Sequence, residues 1–280
     1  MSALIQGTAD WLEMRRSYIG ASDAPVIMGV SPWKTPYQLW KEKLGLYEQE
    51  TNKAMRRGTS MEETARREFE LTTGYVTKPK VVFSTQYDWM MASLDGITDA
   101  GDVLVEIKCP GSVDHSSAVS GRVPDKYMPQ MQHQMACTGL DHGYYFSFNG
   151  TTGALVEVER DDDYIKKLIT KEQRFWESIQ EMEAPELEDR DFHLRSDVEW
   201  TQTAEEYKSL RLQLKALELQ EKKLKERLID ISGNSNIVGG GIKLSKVLRK
   251  GAVEYTKIPE LIDVDLESYR KGPVEYWKVS

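Results

Sequence analysis

Residues 93–111 read SLDGITDAGDVLVEIKCPG. Tyr87 to Asp95 and Val103 to Lys108 are rich in strand formers, and Thr98-Asp99-Ala100-Gly101-Asp102 between them is rich in turn formers, so the stretch reads as a β-hairpin. With Ala100-Gly101 as a two-residue turn, Asp95 lies directly across from Glu106, β-carbons roughly 4.5–5.5 Å apart on one face. Side chains alternate along a strand, so Val103, Val105 and Ile107 share a packed side while Leu104, Glu106 and Lys108 share the other. Two carboxylates and a lysine gathered in this way can hold a divalent cation over a phosphodiester. Taken alone, the spacing also fits an ordinary hairpin in which Asp95 is a turn acid and Glu106 and Lys108 form a solvated pair. Opposed like charges destabilise a hairpin, which requires a cation or a base nearby.

Composition narrows the chemistry. The chain has 280 residues with 40% hydrophobic content, enough for a substantial core. Its two cysteines, Cys109 and Cys137, form no CxxC, and its four histidines form no HxxxH or HExxH. Any metal is therefore expected to be a hard cation held by oxygen, Mg²⁺ or Mn²⁺. No run approaches the ~20 apolar residues of a membrane span, and MSALIQGTADW lacks a basic-then-apolar signal pattern, so a cytoplasmic location without membrane contact is expected.

A net charge of −8 argues against nucleic-acid binding until its distribution is considered. Residues 181–206 hold ten acidic and two basic residues, which accounts for the whole excess. Bases between Arg15 and Lys80, Lys43 among them, cluster near the hairpin in sequence and suit a local positive groove.

Outward from the hairpin, Trp11–Arg16 reads as a helix, and Ser22 suits the N-cap of a second helix running through Ile27. Thr35, Pro36 and Gly45 punctuate a third, preceded by a loop in which Trp33 and Lys34 suit either packing or contact with a base and a phosphate. Residues 58–73 form a helix with Met61, Ala65, Phe69 and Thr72 on one stripe; Glu62 falls in its first turn, where a capping box with Thr59 or Ser60 is as good a reading as a functional role. A helix over Asp125–Cys137 sets Gln130 and Gln134 on one line. Strands Tyr144–Phe148 and Ala154–Val158 and a helix from Asp162 to about Met182 complete residues 1–182 as a mixed α/β unit.

Residues 183–203 read as an acidic linker, and 204–280 as an extension. There Tyr207, Leu210, Leu214, Leu217, Leu224, Leu228 and Ile231 follow a heptad-like 3-4 spacing, which suits either assembly with another chain or packing within its own. Gly239-Gly240-Gly241 reads as a flexible stretch, Ile242–Val247 with Gly251–Thr256 as a basic hairpin, and Tyr269, Tyr276 and Trp277 as packing anchors.

In order along the chain stand Trp11-x3-Arg15-x6-Ser22-Asp23, Arg57-Gly58-x3-Glu62, Asp95-Gly96, Glu106-Ile107-Lys108-Cys109-Pro110 and Tyr127-Met128-x-Gln130-x-Gln132. This succession resembles the phage lambda exonuclease family, including its YqaJ-type viral recombinases, over roughly residues 10–148. The resemblance implies a PD-(D/E)xK, restriction-endonuclease-like core: a central mixed sheet flanked by helices. It implies an ATP-independent exonuclease that degrades one strand of linear duplex DNA 5′ to 3′ with Mg²⁺ and no nucleotide cofactor.

By the same resemblance Asp95 and Glu106 match the metal-binding carboxylates, the Ile107 carbonyl a backbone metal ligand, and Lys108 the lysine that positions or helps deprotonate the attacking water. Glu62, Gln130 and Tyr127 match residues framing that site, while Arg15 and Ser22 match those receiving a terminal 5′-phosphate. A ring-shaped trimer and a single-strand annealing partner are also implied. Leu94 departs from the proline that often precedes the aspartate, and carries no metal-binding atom. Two other readings are a structure-selective endonuclease or resolvase of the same fold, and a non-catalytic DNA-binding or partner-docking protein on a nuclease core.

Overall fold

The computed structural model describes residues 9–47, 53–254, 257–261, 264 and 269, so the anchors expected at Tyr276 and Trp277 lie outside the described residues. The chain forms two compact units, one through Phe192 and the other from His193.

In the first unit, α1 (Ala9–Arg16), β1 (Ile19–Gly20), α2 (Ala24–Ile27) and α3 (Pro36–Lys43) lead to the long α4 (Lys53–Thr73). β2 (Thr77–Phe83), β3 (Met90–Thr98) and β4 (Leu104–Lys108) follow, then α5 (Ser112–Val119), α6 (Met128–Thr138), β5 (His142–Phe148), β6 (Gly153–Glu159) and α7 (Asp162–Gln180). The six strands make one mixed sheet: β4 runs parallel to β5 and β1 parallel to β3, while β2–β3, β3–β4 and β5–β6 are antiparallel.

The hairpin has the register read from the sequence, Gly96 opposite Val105 and Ile97 opposite Leu104. Gly101 adopts φ 75°, and its N–H donates to the Thr98 carbonyl at 2.9 Å, so the turn centres on Asp99-Ala100 rather than Ala100-Gly101 while the register is kept. β3 itself lies three residues later than expected, because Tyr87 to Trp89 form the turn leading into it. Nor does β4 have one packed side. Leu104 packs with Met131 and Met135 of α6, whereas Val105 and Ile107 pack with Ala65 and Phe69 of α4. With helices on both faces the strand is central, and each fully buried side chain of this size contributes about 1.5–3 kcal/mol.

Local chemistry accounts for several boundaries. Thr35 caps α3 through a reciprocal capping box with Gln38, and Gly45 beyond its end has φ 71°. Ser22 is not a cap: α2 begins after Asp23, which makes no side-chain capping bond, and with four residues α2 offers no phosphate-binding terminus. The helix read over 58–73 starts at Lys53, which puts Glu62 beyond the first turn; Ser60 Oγ donates to the Arg57 carbonyl instead of capping, and Thr72 is exposed. β2 and α5 had no counterpart in the sequence reading. In β2, Pro79 lacks an N–H to give the ladder, and the pairing with β3 is irregular between Lys78 and Lys80.

The acidic stretch 183–203 is not one linker. A 3₁₀ turn at Asp189–Asp191 belongs to the first unit: Arg190 donates to the Ser31 carbonyl at 3.1 Å, and Thr35 Oγ1 donates to Asp191 at 2.6 Å. The second unit begins with α8 (Val198–Ile231), capped by Asp197, whose carboxylate accepts from Trp200 N–H at 3.0 Å. No described residue of α8 is buried, and Tyr207, Leu210, Leu214, Leu217, Leu224 and Ile231 are each at least 43% exposed. A hairpin of β7 (Ile237–Gly239) and β8 (Ile242–Leu244) follows. Its turn is Gly240-Gly241, both at positive φ, so the glycines read as flexible are the hairpin turn, and the segment from Gly251 to Glu254 forms no strand. Tyr269 is exposed rather than an anchor. No helix among the described residues is long and apolar enough to cross a membrane.

Candidate active site

One edge of β3 is shared by two strands. β1 pairs with Met90 and Met91, β4 pairs with Gly96 and Ile97, and β2 occupies the opposite edge. The stretch between Met91 and Gly96 is therefore open on the β1/β4 side, and a cleft of about 270 Å³ lies there. Arg15, Ser22, Glu62, Asp95, Glu106, Ile107, Lys108 and Gln130 all line it. These are the site residues read from the sequence, brought together from α1, the β1–α2 turn, α4, β3, β4 and α6.

Asp95 is the first residue of β3 past the β4 ladder. The Ile107 N–H, freed from strand pairing, donates to Asp95 Oδ2 at 2.9 Å. In an extended strand the N–H and C=O of one residue point to the same side, so the Ile107 carbonyl also faces this opening. Burial, reinforced by Glu106, pushes the Asp95 carboxyl well above its ordinary range against the opposing pull of Lys108.

Glu106 is wholly buried, and each of its carboxylate oxygens has a partner. Gln130 Nε2 donates to Oε1 at 2.6 Å, Gln134 Nε2 donates to Oε2, and Lys108 pairs with Oε1. Burial alone would depress the Lys108 ammonium, but Glu106 and Asp95 outweigh it and raise it above the usual lysine range. About a quarter of that side chain is exposed, and Nζ sits 5.6 Å from the centroid of the Tyr127 ring. The Tyr127 hydroxyl is pushed up to about 12, chiefly by burial. Glu62, half-buried on α4, is also raised, first by burial and then by Glu106 against the pull of Arg66.

At the other end of the cleft, Arg15 Nη2 donates to Ser22 Oγ at 2.6 Å, and its guanidinium lies 4.8 Å from the centroid of the Trp11 ring. Asp23, which would repel an anion, is already neutralised. Its carboxylate accepts from Gly20 N–H at 2.9 Å and pairs with the buried Lys43 at 2.5 Å, and Arg15 stands 3.4 Å away. Although burial raises an acid, Lys43 and Arg15 hold Asp23 down at about 2. Lys43 thus serves this pair and is not part of a positive groove.

Sequence reasoning placed Gln134 on the line of Gln130 without giving it a role, and missed the Asp23–Lys43 pair. Gln134 stands one turn after Gln130, a spacing that puts both on one helix face; Asp23 and Lys43 are joined only by the fold. His115 and His133 are satisfied core histidines, the first bonding Ser147 and the second Glu172 and the Met91 carbonyl.

Among the described residues no three His, Cys, Asp or Glu side chains form a metal cluster by themselves. The donor set is two carboxylates and a carbonyl, which suits a hard cation that keeps several waters and shares its shell with substrate phosphates. A divalent charge would also offset the repulsion that pushes Asp95 up. The residues therefore fit such an ion, which Asp95, Glu106 and the Ile107 carbonyl would hold.

Several known proteins resemble the chain in sequence or in fold. Residues 10–141 match the YqaJ-like viral recombinase domain. The YqaJ protein of Bacillus subtilis is 29% identical over 174 residues, 60% of this chain and 54% of that protein. The chain thus spans about half the length of that relative. An alkaline exonuclease of Laribacter hongkongensis, LHK-Exo, superposes with a TM-score of 0.55 at 28% identity, covering 62% of this chain and 94% of that one. Its complex with dAMP superposes equally well, at 26% identity. The mixed sheet flanked by helices is that of the PD-(D/E)xK exonucleases, as the resemblance implied. Over residues 10–141 the chain is accordingly similar to the YqaJ-like viral recombinase domain.

Proposed function

We propose that the chain is an ATP-independent exonuclease that degrades one strand of linear duplex DNA from its 5′ end and leaves 3′ single strands for phage-type recombination. The observation carrying this reading is the shared cleft: Asp95, Glu106 and Lys108 at one end, the Arg15–Ser22 pair at the other. LHK-Exo, the structural relative, is an alkaline exonuclease whose complex with dAMP contains a nucleoside monophosphate of the kind such hydrolysis releases.

Asp95, Glu106 and the Ile107 carbonyl would hold Mg²⁺, for which Mn²⁺ substitutes. When bound, the cation supplies Lewis-acid stabilisation of the phosphoryl oxygens. Lys108 presents a fixed ammonium to the charge that grows on the phosphoryl group and orients the attacking water. Gln130 and Gln134 hold Glu106 in place, and Glu62 borders the reacting phosphate. Arg15 can grip a terminal phosphate through two N–H groups while Ser22 donates its hydroxyl, which fixes the bond presented to the carboxylates. No nucleotide cofactor enters this chemistry.

The same reading includes a single-strand annealing protein as partner, action in the cytoplasm, of the host if the gene is viral, and a ring-shaped homotrimer. A monomer by sedimentation at working concentration would reject the ring. The reaction is tested by incubating linear and covalently closed duplex with Mg²⁺: the linear form is consumed from its ends and the closed form survives. Cutting of closed circles would favour a structure-selective endonuclease or resolvase, and inert linear DNA would favour a non-catalytic DNA-binding or docking protein.

A further inference from the structure

We propose that the indole of Trp33 is a stacking platform for an unpaired DNA base held beside the cleft, an inference that rests on the nuclease reading above. Trp33 is 59% exposed, so packing does not account for it. Nor is it the tip of a loose loop. Its own N–H donates to Ser31 Oγ at 3.3 Å, Arg190 donates to the Ser31 carbonyl at 3.1 Å, and Thr35 Oγ1 donates to Asp191 at 2.6 Å. The loop is clamped on both sides of the ring.

The ring continues a row of aromatics that starts in the core. Tyr145, fully buried, stacks on Tyr127 with centroids 5.7 Å apart, and Tyr127 lies 6.1 Å from Trp33 at an interplanar angle of 32°. Tyr127 is also the ring beneath the Lys108 ammonium, 5.6 Å away. The row thus runs from the site of proposed phosphoryl chemistry to an exposed indole one ring further out. Lys126, paired with Asp114 at 2.7 Å, holds its ammonium 5.0 Å from the Trp33 centroid and 5.4 Å from that of Tyr127. Rings flanked by a cation beside a phosphate-handling cleft suit a nucleobase, and stacking of this kind tolerates any base sequence. That tolerance is what an enzyme advancing along arbitrary DNA requires.

Binding of linear duplex in EDTA, where no strand is cut, tests the platform. Duplexes carry intact ends, abasic residues at the terminal nucleotides of the 5′-ended strand, or abasic residues opposite them. Trp33→Ala is expected to weaken binding of the intact duplex about tenfold, within the range for one base–aromatic stack, and Trp33→Phe to recover most of the loss. Abasic residues in the strand that supplies the base should weaken the parent protein similarly and abolish the effect of Trp33→Ala. Abasic residues in the other strand should leave that effect intact, which identifies the source of the base. An unchanged affinity for Trp33→Ala, or an equal loss on all three duplexes, would overturn the inference while leaving the nuclease reading in place. Failure of the parent protein to bind the intact duplex would overturn both.

Discussion

The main-chain N–H of Ile107 donates to Asp95 Oδ2 at 2.9 Å, at the point where the β3–β4 ladder ends after Gly96–Val105. A backbone donor released by the splaying of two strands is thus given to a buried carboxylate. The contact aims Asp95 at the opening between β1 and β4. It does not neutralise Asp95, which stays pushed up by burial and by Glu106.

That imbalance predicts opposite stability effects for two substitutions in one cluster. Asp95→Asn removes a buried like charge and keeps an acceptor for Ile107, so thermal denaturation without divalent metal should show unchanged or higher stability. Lys108→Met strips Glu106 of its cation and should cost about 2 kcal/mol, below the full cost of an unpaired buried charge because Gln130 and Gln134 still bond Glu106. Both should lower the cleavage rate about a thousandfold, the order expected when several kcal/mol of charge stabilisation is lost.

Gln134 donates to the second oxygen of Glu106, and nothing replaces it if removed. Gln134→Leu should keep the fold yet lower metal affinity or activity about 10- to 100-fold, as substitutions behind a metal ligand do. Titrating activity against Mg²⁺ checks this; wild-type metal dependence would deny the glutamine a positioning role.

How far the chain could be read in advance follows from the range of the interactions. The hairpin register was legible because the turn around Gly101 sets it, and register places Asp95 near Glu106. Glu62 was ambiguous because Gly58-Thr59-Ser60, which has the composition of a helix start, lies inside α4, which begins at Lys53. β2 was hidden by Pro79, whose missing N–H falls at an irregularity in the ladder. Ser22 has the composition of a cap, but its hydroxyl accepts from Arg15 instead. The pairing of Asp23 with Lys43 has no local pattern, since α3 meets the β1–α2 turn only in the folded chain. The same holds for the clamp that Arg190 and Asp191 place on the Trp33 loop, from within a stretch whose charge suggested a linker.

Asp23 also predicts an acid limb. Its folded value of about 2 lies below the unfolded 3.8, so the stabilisation is present above pH ~4 and is lost as pH falls towards 2. Asp23→Asn should flatten this part of the stability–pH curve. At neutral pH it should cost about 3 kcal/mol, because Lys43 is left buried without its counter-charge. Chemical denaturation at neutral and acidic pH measures both effects.

Gly96 permits the close approach of three strands. A β-carbon there would stand 2.7 Å from both Thr77 Oγ1 and Val105 Cγ1. Gly96→Ala should destabilise by about 1–3 kcal/mol and displace the hairpin that carries Asp95 and Glu106, lowering activity as well. Equal stability and equal activity in the alanine variant would show that the strands yield without cost.

In the proposed function one cleft joins a metal-dependent hydrolytic centre to a 5′-phosphate anchor. The most direct test is the release of nucleotides from end-labelled linear duplexes bearing a 5′-phosphate or a 5′-hydroxyl, with and without Mg²⁺, by the parent protein and by Arg15→Ala. Mg²⁺-dependent release from the 5′ end is expected, faster for the phosphorylated duplex, with that preference lost in Arg15→Ala. Release from 3′ ends, internal cutting, or a phosphate preference that survives Arg15→Ala would contradict it.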